Sequence, residues 1–245
     1  VAARLPRLRW VCSVGAGVDK LLVPQLAPQV QVSRIVDAEQ ADGIAQFVVL
    51  MALRHARNLP LYEAQQLSRQ WTRQPIGVLR SHVAVLGMGA MGSAVARMLQ
   101  AVGFQVTGYS RHSGQSLAAV LGGSDIVVCA LPLTPATHGL LNARTLALMP
   151  RGSYLINIAR GAHVVEADLI AAVRSGHLAG AALDVQHHEP LPSDDPLWAV
   201  PGISITPHIA AQSSPHTIAL QFVQGWRCLQ RGEAPHNLVD RARGY

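Results

Sequence analysis

The stretch His82-Val-Ala-Val-Leu86-Gly87-Met-Gly89-Ala-Met-Gly92 decides the fold of this chain. A short apolar run followed by the pattern G-x-G-x-x-G predicts a buried strand, a tight turn and the start of a helix. In a dinucleotide-binding unit the first glycine makes the turn, the second lets the backbone approach the pyrophosphate, and the third lets helix pack on strand. The helix N-terminus offers free N–H groups to the phosphates. We therefore expect cofactor contacts at Gly87, Met88, Gly89, Ala90, Met91 and Gly92; a turn that binds no ligand is the alternative.

From this stretch onward, apolar runs alternate with helical patterns, which is typical of a parallel sheet in an α/β fold. The sequence predicts strands at 82–86, 105–109, 125–131, 153–158, 179–185 and 203–206. It predicts helices at 93–102, 166–175 and 215–231, with Gly176 placed to end the second of them. Upstream, a strand is predicted at 9–13, helices at 38–57 and 61–73, and a hinge at 72–77.

The composition is that of a globular protein with a large core. Of the 245 residues, 49% are hydrophobic and only 14% are charged, which suits one or two domains. No apolar run reaches the roughly 18 residues of a membrane span, so no membrane partner is expected. The opening residues lack the pattern of a signal peptide. Cys12, Cys129 and Cys228 are odd in number and lie in apolar contexts, which favours reduced thiols and a cytoplasmic location.

The positive charge does not indicate a nucleic-acid-binding protein. The net charge is +6 and the pI about 9.9, but the arginines are scattered along the chain, and Lys20 is its one lysine. A nucleic-acid-binding domain clusters its charge on one face. A modest positive field instead attracts small acidic substrates and phosphorylated cofactors. The adjacent His187 and His188 suggest a metal, yet no nearby Cys or further His completes the coordination that zinc needs, so no metal site is expected.

The second predicted strand ends in Gly108-Tyr109-Ser110-Arg111-His112. An NAD site places Asp or Glu here to bind the ribose diol. Ser110 can instead donate a hydrogen bond, and the Arg111 guanidinium suits a 2′-phosphate. With His112 beside them, these residues favour NADP(H) over NAD(H), although an incidental surface arginine is the alternative.

Three residues at the ends of later strands supply what reduction of a 2-oxo acid requires. Arg160 would grip the substrate carboxylate and polarise the ketone, and His208 would give the ketone oxygen its proton. Glu189 would keep that histidine charged. Alone, each residue reads equally well as a surface charge, a loop acid or a solvated histidine. Downstream of a dinucleotide loop, the three together predict a hydride-transfer enzyme.

Motifs along nearly the whole chain resemble the D-isomer-specific 2-hydroxyacid dehydrogenases. Besides the glycine loop they are Val14-Gly-Ala-Gly-Val-Asp19, Ala130-Leu-Pro-Leu-Thr-Pro-x-Thr137, Asn157-x-Ala-Arg-Gly161, Ala182-Leu-Asp-Val185, Glu189-Pro-Leu191 and Pro207-His208. The tail Val239-Asp-Arg-Ala-Arg-Gly-Tyr245 and the Tyr-Ser-Arg signature look most like the glyoxylate/hydroxypyruvate reductase A branch. The resemblance implies NADPH-dependent reduction of glyoxylate to glycolate or of hydroxypyruvate to D-glycerate. Alternatives are another 2-oxo or 2-hydroxy acid with NAD, or a dinucleotide sensor without catalysis.

The resemblance also implies two Rossmann-like, doubly wound domains and a homodimer. A cofactor domain at 76–206 would be inserted into a substrate domain at 1–75 and 207–245, with a cleft that closes over the ligand. Further cofactor contacts are implied at Leu131, Pro132, Thr137, Ile158, Ala159, Asp184, His208 and Ala210, where Asp184 would orient the nicotinamide carboxamide. Backbone N–H groups of Ala16 and Gly17 would bind the substrate carboxylate. Trp71 would line the substrate pocket or reach across a dimer, although a packed core tryptophan is equally expected.

Two departures from the family pattern stand out. The family carries a further βαβ segment before Arg9, and the chain starts at Val1 rather than Met, so we expect the true N-terminus to be missing. The link between Arg111 and Ser124 is too short for the usual strand and helix, and we expect omitted residues there as well.

Overall fold

A computed structural model describes residues 5–74 and 81–245 of the chain. The chain divides into two compact units. The smaller unit comprises 1–40, 132–135 and 212–245, and the larger comprises 41–131 and 136–211. The chain therefore leaves the smaller unit after residue 40, returns to it for residues 132–135, and returns again at residue 212. The predicted α/β fold class is confirmed.

The larger unit is built on a six-stranded sheet whose strands are all parallel. In chain order the elements of the two units are β1 (Trp10–Cys12), β2 (Gln31–Ser33), α1 (Ala38–Ala56), α2 (Leu59–Leu67), β3 (His82–Leu86), α3 (Ala90–Ala101), β4 (Gln105–Tyr109), α4 (Leu117–Gly122), β5 (Ile126–Cys129), α5 (Ala143–Leu146), β6 (Ser153–Asn157), α6 (Glu166–Arg174), β7 (Leu178–Leu183), β8 (Ile203–Ile205) and α7 (Pro215–Gln230). The sheet order is β4-β3-β5-β6-β7-β8, so the direction of strand addition reverses beside β3. This reversal is the switch point at which open α/β sheets bind ligands.

Apolar layers cover both faces of this sheet. Ala84 and Leu86 of β3 pack into one buried cluster, whereas Val83 and Val85 pack into another. Burial on both faces is typical of strands connected by helices in a doubly wound sheet. Helix α1 belongs to the second cluster through five buried residues, namely Ala41, Ile44, Ala45, Val48 and Ala52.

This packing explains why the larger unit begins at residue 41. The predicted domain border at 75/76 lies outside the described residues, and the assignment of residues to a substrate and a cofactor domain stays a prediction. The part of the predicted hinge at 72–77 that follows residue 74 lies outside them as well.

The smaller unit pairs β1 with β2 in parallel and adds helix α7. Trp10 stacks on Phe222 of α7 at a centroid distance of 5.1 Å and donates from Nε1 to Ser33 Oγ at 2.9 Å. Arg241, in the tail, donates from its guanidinium to the backbone carbonyls of Leu26, Ala27, Pro28 and Val30. The Arg241 side chain therefore binds the tail to the loop before β2.

Several local predictions were wrong in detail. Helix α2 ends at Leu67, not at residue 73, because Arg69 adopts a left-handed φ of 54° and the Gln65 side chain accepts the Thr72 N–H. Strand β2 and helices α4 and α5 were not predicted. The link after β4 holds the six-residue α4, capped by Ser116, and β4 is an edge strand of the sheet. Among the described residues, no helix is long and apolar enough to cross a membrane.

Candidate active site

Strand register brings most of the predicted site residues of the larger unit to one edge of the sheet. Partnered residues form a single row across the six strands, namely Tyr109, Leu86, Cys129, Asn157, Leu183 and Ile205. The strands are parallel, so this row marks the carboxyl end of each of them. The glycine loop, Ser110, Arg160, Asp184 and His208 each follow the row by one to three residues. They share the edge at which α/β sheets bind ligands.

The glycine loop has the geometry of a phosphate cradle. Gly87 has φ +100°, and a Cβ there would lie 2.5 Å from the Ala130 carbonyl oxygen, so only glycine fits. Gly89 precedes the twelve-residue α3, and a Cβ on it would meet no atom within 4 Å. The tight turn is thus closed by protein backbone, while the helix N-terminus faces open space. These residues fit a dinucleotide.

Ser110, Arg111 and His112 form a turn directly after β4. Ser113 N donates to Ser110 O at 3.1 Å, and His112 N donates to Ser110 Oγ at 3.3 Å. Arg111 and His112 are exposed. The turn therefore presents a cation and a hydroxyl in the position where a ribose 2′ substituent is read.

His208 and Glu189 form a pair, with His208 Nδ1 3.0 Å from Glu189 Oε2. The other carboxylate oxygen, Oε1, accepts the backbone N–H of Gln186 at 3.1 Å. Because Nδ1 faces the carboxylate, Nε2 is the nitrogen with which His208 can exchange a proton. The arrangement matches the geometry of a general acid whose ring is oriented by a carboxylate.

Asp184 holds the turn that carries His208. Its carboxylate is 1% exposed and accepts hydrogen bonds from Thr206 Oγ1 at 2.6 Å, Ile209 N at 2.9 Å and Ala210 N at 2.9 Å. His208 itself has φ +56°, a region that residues other than glycine seldom adopt. Asp184 therefore keeps an unfavourable turn in place, a role that the sequence analysis did not assign to it.

Arg160 lies three residues beyond the end of β6 and is half-buried. Its Nη1 donates to the Ala159 carbonyl at 2.7 Å. Asn157 braces the same loop, because its Nδ2 donates to Arg160 O at 2.9 Å and its Oδ1 accepts Ala159 N–H at 3.1 Å. His163 is buried beside them, and sequence reasoning missed it because a histidine within an apolar run looks like any core or surface residue.

The remaining predicted contacts divide between the two units. Leu131, Thr137, Ile158, Ala159 and Ala210 belong to the larger unit, whereas Ala16, Gly17 and Pro132 belong to the smaller. The Ser13 hydroxyl organises the turn that contains Ala16, since it donates to Gly17 O at 2.8 Å and accepts Gly15 N–H at 3.2 Å.

Trp71 lies in the loop after α2 and is 93% exposed. The alternative of a tryptophan packed in the core of its own chain is therefore wrong. His187 and His188 lie edge to face with ring centroids 4.9 Å apart, and the described residues contain no group of three or more potential metal ligands.

Comparison with known proteins identifies the family. The family described as "D-isomer specific 2-hydroxyacid dehydrogenase, NAD binding domain" matches residues 49–210. Glyoxylate/hydroxypyruvate reductase A of Klebsiella pneumoniae (strain 342) is 37% identical over an alignment of 258 residues, which covers 97% of this chain and 82% of that protein.

Among solved structures, a D-isomer specific 2-hydroxyacid dehydrogenase from Xanthobacter autotrophicus Py2, in complex with NADPH and MES, is 44% identical with a TM-score of 0.92. It is matched over 99% of this chain and 81% of its own. The NADPH-dependent glyoxylate/hydroxypyruvate reductase of Sinorhizobium meliloti, in complex with NADP and sulfate, is 35% identical with a TM-score of 0.91, covering 98% of this chain and 81% of that one. This chain belongs to the D-isomer specific 2-hydroxyacid dehydrogenase family and is an NAD(P)-dependent oxidoreductase.

Proposed function

We propose that this enzyme reduces short 2-oxo acids with NADPH, taking glyoxylate to glycolate and hydroxypyruvate to D-glycerate. The observation that carries the proposal is the His208–Glu189 pair at 3.0 Å, on the same sheet edge as Arg160 and the glycine loop. Relatives named as glyoxylate/hydroxypyruvate reductases at 36–37% identity support this substrate class.

The reaction needs a hydride, a proton and a positive charge near the substrate. NADPH, when bound, supplies the hydride to the ketone carbon. Arg160 binds the substrate carboxylate through its planar guanidinium and draws electron density towards the ketone oxygen. His208 transfers a proton from Nε2 to that oxygen as negative charge develops on it. Glu189 stabilises the imidazolium before the transfer and holds its ring in place.

For the cofactor, we propose contacts of the glycine loop and α3 N-terminus with the pyrophosphate, and of Ser110, Arg111 and His112 with the 2′-phosphate. A cation after β4 favours a phosphate, whereas an acid at that position would repel it. Asp184 and Ala210 would contact the nicotinamide side. The remaining contacts predicted from the sequence, at Leu131, Pro132, Thr137, Ile158 and Ala159, and those of Ala16 and Gly17 with the substrate carboxylate, stay predictions.

We also propose a homodimer formed through helices α1 and α2. Their surface carries the exposed apolar side chains of Leu50, Leu53, Leu59, Leu61 and Leu67, followed by Trp71. Several large apolar side chains exposed on one pair of consecutive helices favour an interface between protein chains. In such a dimer Trp71 would be free to reach the substrate of the partner. Light scattering of the protein in solution tests the dimer, and Leu50→Glu should convert it to a monomer.

The deciding experiment is NADPH oxidation, followed by absorbance, with glyoxylate and with hydroxypyruvate, and with NADH in parallel. We expect turnover with both acids and a clear preference for NADPH. Arg111→Ala should raise KM for NADPH about tenfold or more and leave NADH unaffected. Arg174→Ala, at the exposed end of α6, is the matched control. Equal rates with the two cofactors would refute the role of Arg111, and binding of NADPH without turnover of any 2-oxo acid would favour a sensor.

A further inference from the structure

His163 is fully buried, and its imidazole turns back to the backbone of Arg160. Nδ1 lies 3.0 Å from the Arg160 carbonyl oxygen. That oxygen can only accept, so Nδ1 carries the hydrogen and donates it. Two further donors meet the same oxygen: Asn157 Nδ2 at 2.9 Å and the His163 backbone N–H at 3.2 Å. Three hydrogen bonds thus fix the orientation of the peptide group that follows Arg160.

The segment that carries His163 is itself held by backbone hydrogen bonds. Gly139 N donates to Ala162 O at 2.8 Å, Leu141 N to His163 O at 2.9 Å, and Val165 N to Leu141 O at 2.9 Å. These bonds form a short parallel ladder outside the main sheet. The backbone of His163 therefore cannot follow a movement of Arg160, and its side chain resists such a movement.

The neighbouring residue leaves the loop little room on its other side. A Cβ on Gly161 would lie 1.9 Å from the carbonyl carbon of Gln186, so the backbone runs directly against the segment after β7. The backbone at Arg160 is thus held in two ways: Gly161, the next residue, lies against the backbone of Gln186, and the carbonyl of Arg160 itself accepts three hydrogen bonds. Displacement of a substrate-binding group by about 1 Å is enough to cost an enzyme much of its rate.

A polar side chain is a costly choice for this position if it serves packing alone. Burial of an imidazole removes its hydration, and the cost is offset only by the hydrogen bonds it makes inside the protein. A buried apolar side chain would avoid that cost. The bond from Nδ1 to the Arg160 carbonyl is a contact that histidine makes here and leucine cannot make.

We propose that His163 is a positioning residue for Arg160, and through it sets the affinity of the enzyme for the carboxylate of its substrate. This inference rests on the proposed function, in which Arg160 binds that carboxylate. The imidazole does not touch the substrate; it fixes the loop from which the guanidinium projects.

The test compares variants that remove the donor with one that keeps it. His163→Leu and His163→Met both lose the hydrogen bond and replace the imidazole with an apolar side chain. Two such variants are made so that the test can be read even if only one of them folds. Asn carries a donor nitrogen on Cγ, as His does at Nδ1, so His163→Asn retains the bond. We expect the two apolar variants to raise KM for glyoxylate about tenfold, with KM for NADPH unchanged, and His163→Asn to stay within about threefold of the parent.

Two further measurements separate positioning from stability. His177→Leu is the matched control, because His177 Nε2 also contacts a backbone carbonyl, that of Leu146 at 3.1 Å. It should lower stability without changing either KM. Binding of oxalate, a carboxylate that is not reduced, measured by calorimetry in the presence of NADP, should weaken in the apolar His163 variants in parallel with KM.

Each remaining outcome decides against one part of the reasoning. An unchanged KM for glyoxylate in the apolar variants, or an equal rise in His163→Asn, would overturn the positioning role. So would a rise in both KM values that His177→Leu reproduces. If Arg160→Lys leaves glyoxylate kinetics unchanged, the proposed function of Arg160 fails first, and His163 has nothing to position.

Discussion

Replacement of Thr206 by valine tests whether the turn around His208 is held by Asp184. Valine has nearly the same shape as threonine but lacks the hydroxyl that donates to Asp184 Oδ1 at 2.6 Å. The two backbone N–H groups of Ile209 and Ala210 keep their bonds to the carboxylate. The substitution therefore loosens the turn at one point and leaves the catalytic groups themselves untouched.

The size of the effect follows from the chemistry of that bond. Hydrogen bonds to charged groups contribute about 1.5–3 kcal/mol, and Thr206 is only half-buried, so we expect the free energy of unfolding to fall by about 1.5 kcal/mol. His208 sits in a left-handed conformation that costs about 1 kcal/mol or more, so a loosened turn relaxes away from it. About 1.4 kcal/mol corresponds to a factor of ten in rate, and kcat with glyoxylate should fall by up to about tenfold.

Urea denaturation and steady-state kinetics on the same preparation measure both quantities. Thr107→Val is the control, since the Thr107 hydroxyl has only a 3.4 Å contact with His82 and lies on β4, away from the turn. We expect the control to change stability slightly and kcat not at all. A Thr206→Val enzyme that loses stability but keeps full kcat would refute the reasoning, because the turn would then hold His208 without this bond.

Three other predictions concern stability and reactivity. Arg241→Lys should lower the free energy of unfolding, measured in urea, by about 2 kcal/mol, because an ammonium cannot reach the same set of carbonyls. The control Arg243→Lys, which affects an exposed ion pair, should change it by less than about 1 kcal/mol. Similar losses in the two variants would contradict the role of Arg241 in holding the tail. Burial raises the pKa of the Cys129 thiol to about 12, so mass spectrometry should find it unalkylated in the native enzyme and alkylated after denaturation; modification of the native thiol would disprove its burial. Burial lowers the pKa of His55 from 6.5, and the nearby charge of Asp125 opposes that shift; the unfolded state therefore binds this proton first, and stability falls as the pH drops below 6.5 towards the folded pKa. His55→Phe, which can still stack on Tyr154, should lose less stability than the parent between about pH 8 and 5 in urea titrations. An equal loss in the variant would show that another group is responsible.

The sequence predicted the position of every strand of the six-stranded sheet, and the exact bounds of two of them. The bounds of β3 and β4 are as predicted: β3 is an apolar run after His82 that ends at the glycine loop, and β4 lies between Gly103 and the polar turn at Ser110. Strand β2 has only three residues, and α4 lies in a link rich in glycine and serine, so neither leaves a periodic pattern to detect. Helix α2 was overextended because the turn at Arg69 depends on backbone geometry that its residue type does not reveal.

The sequence predicted candidate functional side chains for the site, but not the hydrogen bonds that hold their loops in place. Arg160, Glu189 and His208 were predicted as catalytic because that chemistry needs particular residue types at strand ends. Asp184 was predicted as a cofactor contact, but its bonds to the turn at 206–210 depend on two backbone N–H groups, which carry no sequence signal. Buried His163 shows the same limit, since what identifies its role is a contact with a main-chain oxygen.

The loops that carry Arg160, Glu189 and His208 are held in the same way. A catalytic side chain must keep its reacting atoms available, so hydrogen bonds of those atoms cannot be the means of fixing it. The fold fixes the adjoining backbone instead: the carbonyl of Arg160 by His163 and Asn157, and the amides after His208 by Asp184. Glu189 is held at the oxygen that His208 does not use, by the N–H of Gln186. Loss of any one of these supports should therefore reduce activity while every residue of the proposed catalytic set is still present.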